Sequence, residues 1–198
     1  MARWVSDITV LHAIWTRAGV VSLHGATVGY MERWSETARS ELLSYLTCST
    51  ETRVLTGEGI RGPSTVSGWL TGGNITLLAS MAGTGYLPSW SGAIVVLEDV
   101  TEAPYRLDRQ LLQLYQAGAF KAVVGIAVGQ FTDCTGTDPT DVAKDRVTRF
   151  LTTHLDVAII AGIPVGHEND SRALPFGGRA ILDPIAGTLT VNIPQTNP

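Results

Sequence analysis

An unbroken apolar run at residues 93–97, Ala-Ile-Val-Val-Leu, leads directly into the carboxylates Glu98 and Asp99. A second apolar segment, residues 157–165, leads to His167. Runs of this kind, rich in β-branched residues, are typical of buried strands. Open α/β sheets bind their ligands at the carboxyl ends of their strands, so polar groups there indicate a site. The two segments therefore predict an α/β fold in which a carboxylate and an imidazole meet at one edge of a sheet.

Composition excludes several classes of function. With 198 residues, 44% of them hydrophobic and 16% charged, the chain has the composition of a globular protein with a substantial core. The formal net charge of −4 and the lack of a basic run exclude nucleic-acid binding. No apolar stretch is long enough to cross a bilayer, and the first residues lack the apolar core of a secretion signal. Cys48 and Cys134 are too few for a disulfide framework or a thiolate metal site, and they fit a reducing compartment.

The periodicity predicts alternating helices and strands. After the carboxylates comes a helix with Pro104 in its first turn and a stripe of leucines, and then another buried strand at residues 122–128. Strand, helix and strand in this order predict a βαβ unit with a parallel pair. Further elements are predicted at residues 7–17 (helix capped by Ser6 and ended by Gly19), 20–23 (strand), 36–46 (helix), 74–81 (helix capped by Asn74), 140–154 (helix), and 179–182 with 188–191 (hairpin).

The local composition of the sequence changes after the second predicted helix, at residues 36–46. From residue 54 onward the chain is rich in glycine and short β-prone pieces, whereas the first helix and strand lack neighbouring strands of their own. We therefore interpret residues 1–25 as the tail of a preceding α/β domain, residues 26–53 as a connector with a helix, and residues 54–198 as a C-terminal α/β domain. We expect the face that this tail presents to be apolar, and we expect a homodimer or other self-association through it.

Glu98 and His167 are the candidate pair for chemistry. A carboxylate beside an imidazole provides a base and its orienting group, as a nucleophilic hydrolase requires. Glu98 is preferred to Asp99 because neighbouring side chains on a strand point in opposite directions. The alternatives are that both acids lie at the start of a helix for its dipole and that His167 is a loop residue.

Other motifs give weaker indications. The segment at residues 72–74, Gly-Gly-Asn, is either a cradle for an anionic group or a tight turn with a helix cap. The G-x-G-x-x-G pattern at residues 57–62 precedes a β-like piece rather than a helix, so we reject nucleotide binding there. The acids and the cysteine of residues 133–141 lack metal-ligand spacing. Ser6 is the one tempting nucleophile in the chain, and a helix cap explains it.

The ordered motifs of the chain resemble the serine LD-carboxypeptidases, which include the muramoyl-tetrapeptide carboxypeptidases and the microcin-immunity peptidases. The resemblance covers nearly the whole chain. It implies an α/β nucleophile domain followed by a mixed α/β, barrel-like C-terminal domain. The motifs that carry it are Ser6-Asp7-Ile8-Thr9, His24-Gly25, Gly72-Gly73-Asn74, Leu97-Glu98-Asp99-Val100, Glu102-Ala103-Pro104-Tyr105-Arg106, Gly166-His167 and Leu174-Pro175.

This resemblance implies a Ser-Glu-His triad in which Glu98 is the carboxylate and His167 the general base. It places the serine upstream of Ser6, in a glycine-rich turn that this chain lacks, so the isolated chain is expected to be inactive. Four residues are implied to bind substrate: Gly72, Gly73, Asn74 and Asp99. No metal or cofactor is implied. The chain departs from the family pattern at Val5 and at Ala26.

The implied reaction is hydrolysis of an L-centre–D-alanine bond in cell-wall tetrapeptides, in the cytoplasm and without nucleic-acid or membrane partners. Two alternatives stand beside it. One is an amidase of the microcin-immunity type that acts on peptidyl- or aminoacyl-nucleotides. The other is a non-catalytic binding or assembly module, because a triad without its serine loses most of its rate advantage.

Overall fold

The computed structural model describes residues 7–25, 28–47 and 52–192. Helices lie at α1 (Ile8–Arg17), α2 (Glu36–Leu46), α3 (Ile75–Met81), α4 (Pro104–Gln116) and α5 (Ala143–His154), with a 3-10 helix at Val28–Arg33. Strands lie at β1 (Ser22–His24), β2 (Thr52–Thr56), β3 (Glu58–Arg61), β4 (Val66–Asn74), β5 (Ala93–Val100), β6 (Gly125–Thr132), β7 (Ala158–Ala161), β8 (Leu174–Phe176), β9 (Arg179–Asp183) and β10 (Thr188–Asn192).

Four parallel strands form the centre of the main sheet. The strands β4, β5, β6 and β7 pair in that order, and helices α3, α4 and α5 connect them. The apolar stripe of α4 is fully buried against this sheet at Leu107, Leu111 and Leu114. Since parallel neighbours require such crossovers, the predicted βαβ unit is confirmed.

The main sheet curls into a barrel. Its strand order is β2-β10-β9-β4-β5-β6-β7-β3, so the two edge strands, β2 and β3, are consecutive in the chain and separated only by Gly57. The segment therefore pairs with β10 before Gly57 and with β7 after it. A Cβ on Gly57 would lie 2.5 Å from the Ala161 carbonyl oxygen, so only glycine fits at this crossing. The predicted mixed, barrel-like α/β fold is confirmed.

Two apolar layers flank the main sheet. Helices α3, α4 and α5 cover one face, where Trp90 and Phe120 pack edge to face. The other layer fills the barrel interior and includes Leu70, Ile160 and Phe176. Strand β5 is buried on both faces, which explains why its sequence is continuously apolar rather than alternating.

Several predicted boundaries were wrong by a few residues. Helix α1 begins at Ile8, after Asp7, whose side chain makes no capping hydrogen bond, and the predicted cap, Ser6, lies outside the described residues. Strand β1 occupies residues 22–24 rather than 20–23 and pairs with β8 outside the main sheet. Strand β6 begins at Gly125 rather than residue 122, because Ala122 has a positive φ of 59° that interrupts an extended run. The segment at residues 57–62, which holds the G-x-G-x-x-G pattern, includes the whole of β3, which was not among the predicted elements. Among the described residues, no helix is long and apolar enough to span a membrane.

Candidate active site

Glu98 and His167 meet inside the protein. The imidazole Nδ1 lies 2.8 Å from the carboxylate Oε2, and the side chains of Glu98 and His167 are 0% and 2% exposed. Glu98 belongs to β5, where the pairing with β6 is irregular between Leu97 and Asp99. Such a bulge redirects a side chain beside a site. The two strand ends thus come within hydrogen-bond distance, as the sequence predicts.

Burial sets the electrostatics of this pair. It raises the pKa of Glu98, and the hydrogen bond and charge of His167 oppose that rise. When Glu98 is ionised its carboxylate only accepts hydrogen bonds, and the ring proton of a neutral His167 then lies on Nδ1. That tautomer leaves Nε2 as the basic nitrogen. The other carboxylate oxygen of Glu98, Oε1, is buried without a hydrogen-bond partner among the described residues.

The loop that carries His167 is closed by hydrogen bonds. The hydroxyl of Ser171 accepts from the Gly166 N–H at 2.8 Å and donates to the Gly166 carbonyl at 2.9 Å. The Arg172 N–H donates to the Pro164 carbonyl at 2.7 Å, which joins the two ends of the loop. From β6, the Gln130 N–H donates to the Val165 carbonyl at 2.8 Å. The imidazole is therefore presented by a constrained loop rather than an open one.

Asp99 faces away from the Glu98–His167 pair and binds the start of α3. Its carboxylate accepts from the Asn74 amide at 2.8 Å, from the Thr76 N–H at 3.0 Å and hydroxyl at 2.9 Å, and from the Val100 N–H at 2.7 Å. Burial raises the pKa of Asp99, and these donors oppose the rise. The Asn74 Oδ1 accepts from the Leu77 N–H and caps α3, as predicted. These contacts give Asn74 and Asp99 structural roles, and their binding of substrate stays a prediction.

Gly72 and Gly73 allow close packing at the end of β4. Both have positive φ values, 133° and 127°. A Cβ on Gly72 would overlap the Val96 backbone, and one on Gly73 would lie 2.6 Å from the Thr9 hydroxyl oxygen. Gly72 thus allows the close approach of β5, and Gly73 lets α1 approach the sheet. Their predicted contact with substrate is not tested by this packing.

Helix α1 brings its first turn to the same edge of the sheet. Thr9 is fully buried, and its hydroxyl accepts from the Asn74 N–H at 3.1 Å. Asn74 pairs directly with Glu98 across β4 and β5. Ser6 lies outside the described residues. Its predicted role as the cap of α1 therefore stays a prediction.

No role was predicted from the sequence for two buried histidines that lie near the pair. The ring of His24 stacks on Phe176 with centroids 5.1 Å apart, and His12 packs edge-on against both. Burial lowers the pKa of His12 to about 4 and, with the charges of His12 and His167, the pKa of His24 to about 3. Both rings are therefore neutral at pH 7. The His24-Gly25 motif after a short strand was the available signal for one of them.

A cavity of about 620 Å³ opens beside the His167 loop, between β6 and the start of α5. Its lining includes Gly129, Phe131, Cys134, Lys144 and Glu168. Burial raises the pKa of the Cys134 thiol to about 12, so this cysteine is not a reactive thiolate. Within the described ranges, no group of three or more histidine, cysteine or acidic side chains is placed to hold a metal ion.

Comparisons with known proteins agree on one family. The family model described as the LD-carboxypeptidase C-terminal domain matches residues 67–182. The murein tetrapeptide carboxypeptidase of Pseudomonas aeruginosa is 34% identical over 190 residues, which is 90% of this chain and 61% of the relative.

Solved structures give the same result. The muramoyltetrapeptide carboxypeptidase of Oxalobacter formigenes superposes with a TM-score of 0.81 at 31% identity, covering 94% of this chain and 66% of that one. The microcin C7 self immunity protein MccF superposes with a TM-score of 0.80 at 17% identity over 97% of this chain and 67% of that one, a likeness of fold. The chain thus spans about three fifths to two thirds of the length of these proteins.

Proposed function

This chain belongs to the LD-carboxypeptidase family, and we propose on that premise that Glu98 and His167 belong to a Ser-Glu-His triad that hydrolyses the L-centre–D-alanine bond of cell-wall tetrapeptides. The observation that supports this most is the buried 2.8 Å contact between His167 and Glu98. A relative at 34% identity is a murein tetrapeptide carboxypeptidase, which supports the substrate class.

The chemistry is acyl transfer to water. His167 Nε2 removes the proton of the serine hydroxyl as the oxygen attacks the peptide carbonyl, and it then delivers that proton to the leaving amine of D-alanine. A water molecule, activated in the same way, hydrolyses the acyl-enzyme and restores the serine. Glu98 holds the ring in the Nδ1–H tautomer and stabilises the imidazolium that forms in each step.

The position of α1 supports Ser6 as the third member rather than a serine upstream of it. Ser6 stands directly before the helix cap, three residues before Thr9. The hydroxyl of Thr9 is bonded to Asn74, and Asn74 is the pairing partner of Glu98. A side chain at the start of α1 is therefore close in sequence to groups that border the pair.

Replacement of Ser6 tests this assignment. In a protein that has the length of the matched relatives and contains this chain, Ser6→Ala is expected to abolish D-alanine release, and Ser35→Ala, which removes the cap of α2, is the matched serine control. Full activity of Ser6→Ala would return the nucleophile to the upstream segment.

The runner-up function is an amidase of the microcin-immunity type. The superposition on MccF supports the fold required for it, and another solved form of MccF is a complex with glutamyl sulfamoyl guanosine. Release of the amino acid from an aminoacyl sulfamoyl nucleoside, with none from an L,D-tetrapeptide, would favour this function. Turnover of neither substrate by a folded, full-length protein would favour a binding or assembly role.

The domain division and the cellular setting belong to the same proposal. We assign residues 1–25 to the nucleophile domain, 26–53 to a connector and 54–198 to the domain that carries Glu98 and His167, acting on recycled cell-wall peptides in the cytoplasm. The connector is tied to the site by Glu41 of α2, whose carboxylate binds Arg53 at 3.3 Å and Arg172 of the His167 loop at 2.8 Å.

A further inference from the structure

We infer that Ser171 is a positioning residue for His167, because its hydroxyl clamps the peptide groups of Gly166 and thereby holds the imidazole on Glu98. The inference rests on the proposed function, in which His167 is the general base. Ser171 itself touches neither the carboxylate nor the ring in the contacts described above. Its effect is on the backbone immediately before the base.

The clamp consists of two hydrogen bonds through one oxygen. Ser171 is 3% exposed, and its Oγ accepts from the Gly166 N–H at 2.8 Å while it donates to the Gly166 carbonyl at 2.9 Å. That carbonyl belongs to the peptide bond that joins Gly166 to His167. Both polar groups of Gly166 are thus satisfied by a side chain five residues further along the loop.

Gly166 is the position at which such a clamp matters most. Its φ is 151°, a conformation that side chains rarely adopt, and a Cβ there would lie 2.8 Å from Cβ of Gln130. Only glycine fits, yet glycine is also the residue with the greatest backbone freedom. Without the clamp, rotation of this peptide would swing the adjoining histidine away from Glu98.

The remaining bonds of the loop act at other points. The Arg172 N–H binds the Pro164 carbonyl, and the Ser171 N–H binds the Glu168 carbonyl at 3.1 Å. The side chain of Gln130 donates to Asp170 at 3.2 Å on the exposed side of the loop. The Gln130 Oε1 also accepts from the N–H of Glu168, directly after the base, at 3.4 Å. These bonds close the loop and hold its ends and the residue after the base, whereas the Ser171 hydroxyl fixes the residue before it.

Steady-state kinetics of the active, full-length protein separate positioning from binding. Ser171→Ala is expected to lower kcat by roughly 100-fold and to leave KM within about twofold, because a small misplacement of a catalytic group affects the chemical step rather than substrate binding. Ser171→Thr keeps the hydroxyl and is expected to restore most of kcat. Ser80→Ala is the matched control, because Ser80 is exposed and its hydroxyl donates only to the Leu77 carbonyl one turn back in α3.

A spectroscopic readout tests the same inference without turnover. In ¹H NMR spectra of the 198-residue chain, the Nδ1 proton of His167 should give a low-field signal that is absent in His167→Gln. The signal is expected to be lost or broadened in Ser171→Ala and retained in Ser171→Thr and Ser80→Ala. If the longer protein releases no D-alanine at all, the proposed function fails, and this comparison still decides the role of Ser171.

Two results would overturn the positioning role. One is a Ser171→Ala protein that keeps both its kcat and the Nδ1 proton signal. The other is a loss in Ser171→Ala that Ser171→Thr does not recover, which would point to packing rather than the hydroxyl. If the alanine variant does not fold, Ser171→Cys keeps the side-chain volume while weakening both bonds, and the same two readouts apply to it.

Discussion

Gly129 of β6 lies so close to Glu98 of β5 that a Cβ on it would stand 3.3 Å from Cβ of Glu98, and it would also overlap the carbonyl oxygen of Val165. The strand beside the carboxylate and the loop that carries the base are therefore packed against each other through a residue without a side chain. The geometry of the Glu98–His167 pair therefore depends on Gly129, a residue that has no side chain to take part in the chemistry.

Gly129→Ala is expected to displace the His167 loop. It should lower the free energy of unfolding and weaken the NMR signal of the His167 Nδ1 proton. Overpacking of a tight contact costs about 1–3 kcal/mol of unfolding free energy, which denaturant titration measures. Gly85→Ala is the control, because a Cβ on Gly85 meets nothing within 4 Å. A Gly129→Ala protein as stable as Gly85→Ala, with its signal intact, would show that the loop has room to move.

Glu98→Gln is expected to lower kcat in the full-length protein by a factor on the order of 10⁴, because the amide cannot stabilise the imidazolium and can stabilise the wrong tautomer. The side chain keeps its size, so the melting temperature should fall little compared with the loss of rate. Glu58→Gln is the charge-matched control at an exposed position of β3. Comparable rates for the two variants would remove Glu98 from the mechanism.

Acid is expected to destabilise the fold through His12 and His24. Burial lowers the pKa of these rings to about 4 and about 3, whereas both titrate near pH 6.5 in the unfolded chain. Below about pH 6.5 the unfolded state therefore binds more protons than the folded state. Each ring lowers the free energy of unfolding by up to about 1.4 kcal/mol per pH unit as the pH falls from about 6.5 towards the pKa of that ring in the folded state. The raised pKa values of Glu98 and Asp99 act in the opposite direction, since the folded state then binds the extra protons.

Denaturant titrations between pH 8 and pH 4 on His24→Phe isolate this effect. Phenylalanine can keep the stacking on Phe176 while removing one titration. The variant should lose less stability than the parent on acidification, while the two proteins should show the same pH dependence above pH 7. Identical pH dependence over the whole range would contradict a buried neutral His24.

The exposed apolar face of α1 and the loop after it is expected to drive self-association of the 198-residue chain. Five large apolar side chains are between 37% and 49% exposed there: Leu11, Ile14, Trp15, Val20 and Val21. Light scattering after size exclusion should give a mass above 21.1 kDa. The double substitution Leu11→Glu with Ile14→Glu should return the mass to that of the monomer. Ile185→Glu, at an exposed apolar position away from this face, should leave the mass above that of the monomer. A monomer without any substitution would refute the expectation.

Much of the central sheet could be predicted because its signals are local. Continuous β-branched runs predicted β5 and its neighbour β6, and the leucine stripe predicted α4. Since parallel strands end at one edge, those elements were enough to bring Glu98 and His167 together. The role of Asp99 was harder to predict, because its partners on α3 are 23 and 25 residues away and are aligned only by the fold.

The closure of the barrel could not be read from local pattern. The segment around Gly57 pairs with β10 and β7, which lie more than 95 residues later in the chain. Its own residue pattern does not identify these two strands as its partners. Likewise, single histidines have no periodicity, so the burial of His12 and His24 depends on the packing of α1 on β1.

The most direct test is release of D-alanine from an L,D-tetrapeptide by the full-length protein and by its His167→Ala variant, with His154→Ala as the control at the end of α5. The account predicts release by the parent and the control, and a loss of about 10⁴-fold or more in kcat for His167→Ala. Near-normal release by His167→Ala would contradict the central claim that the Glu98–His167 pair performs the chemistry.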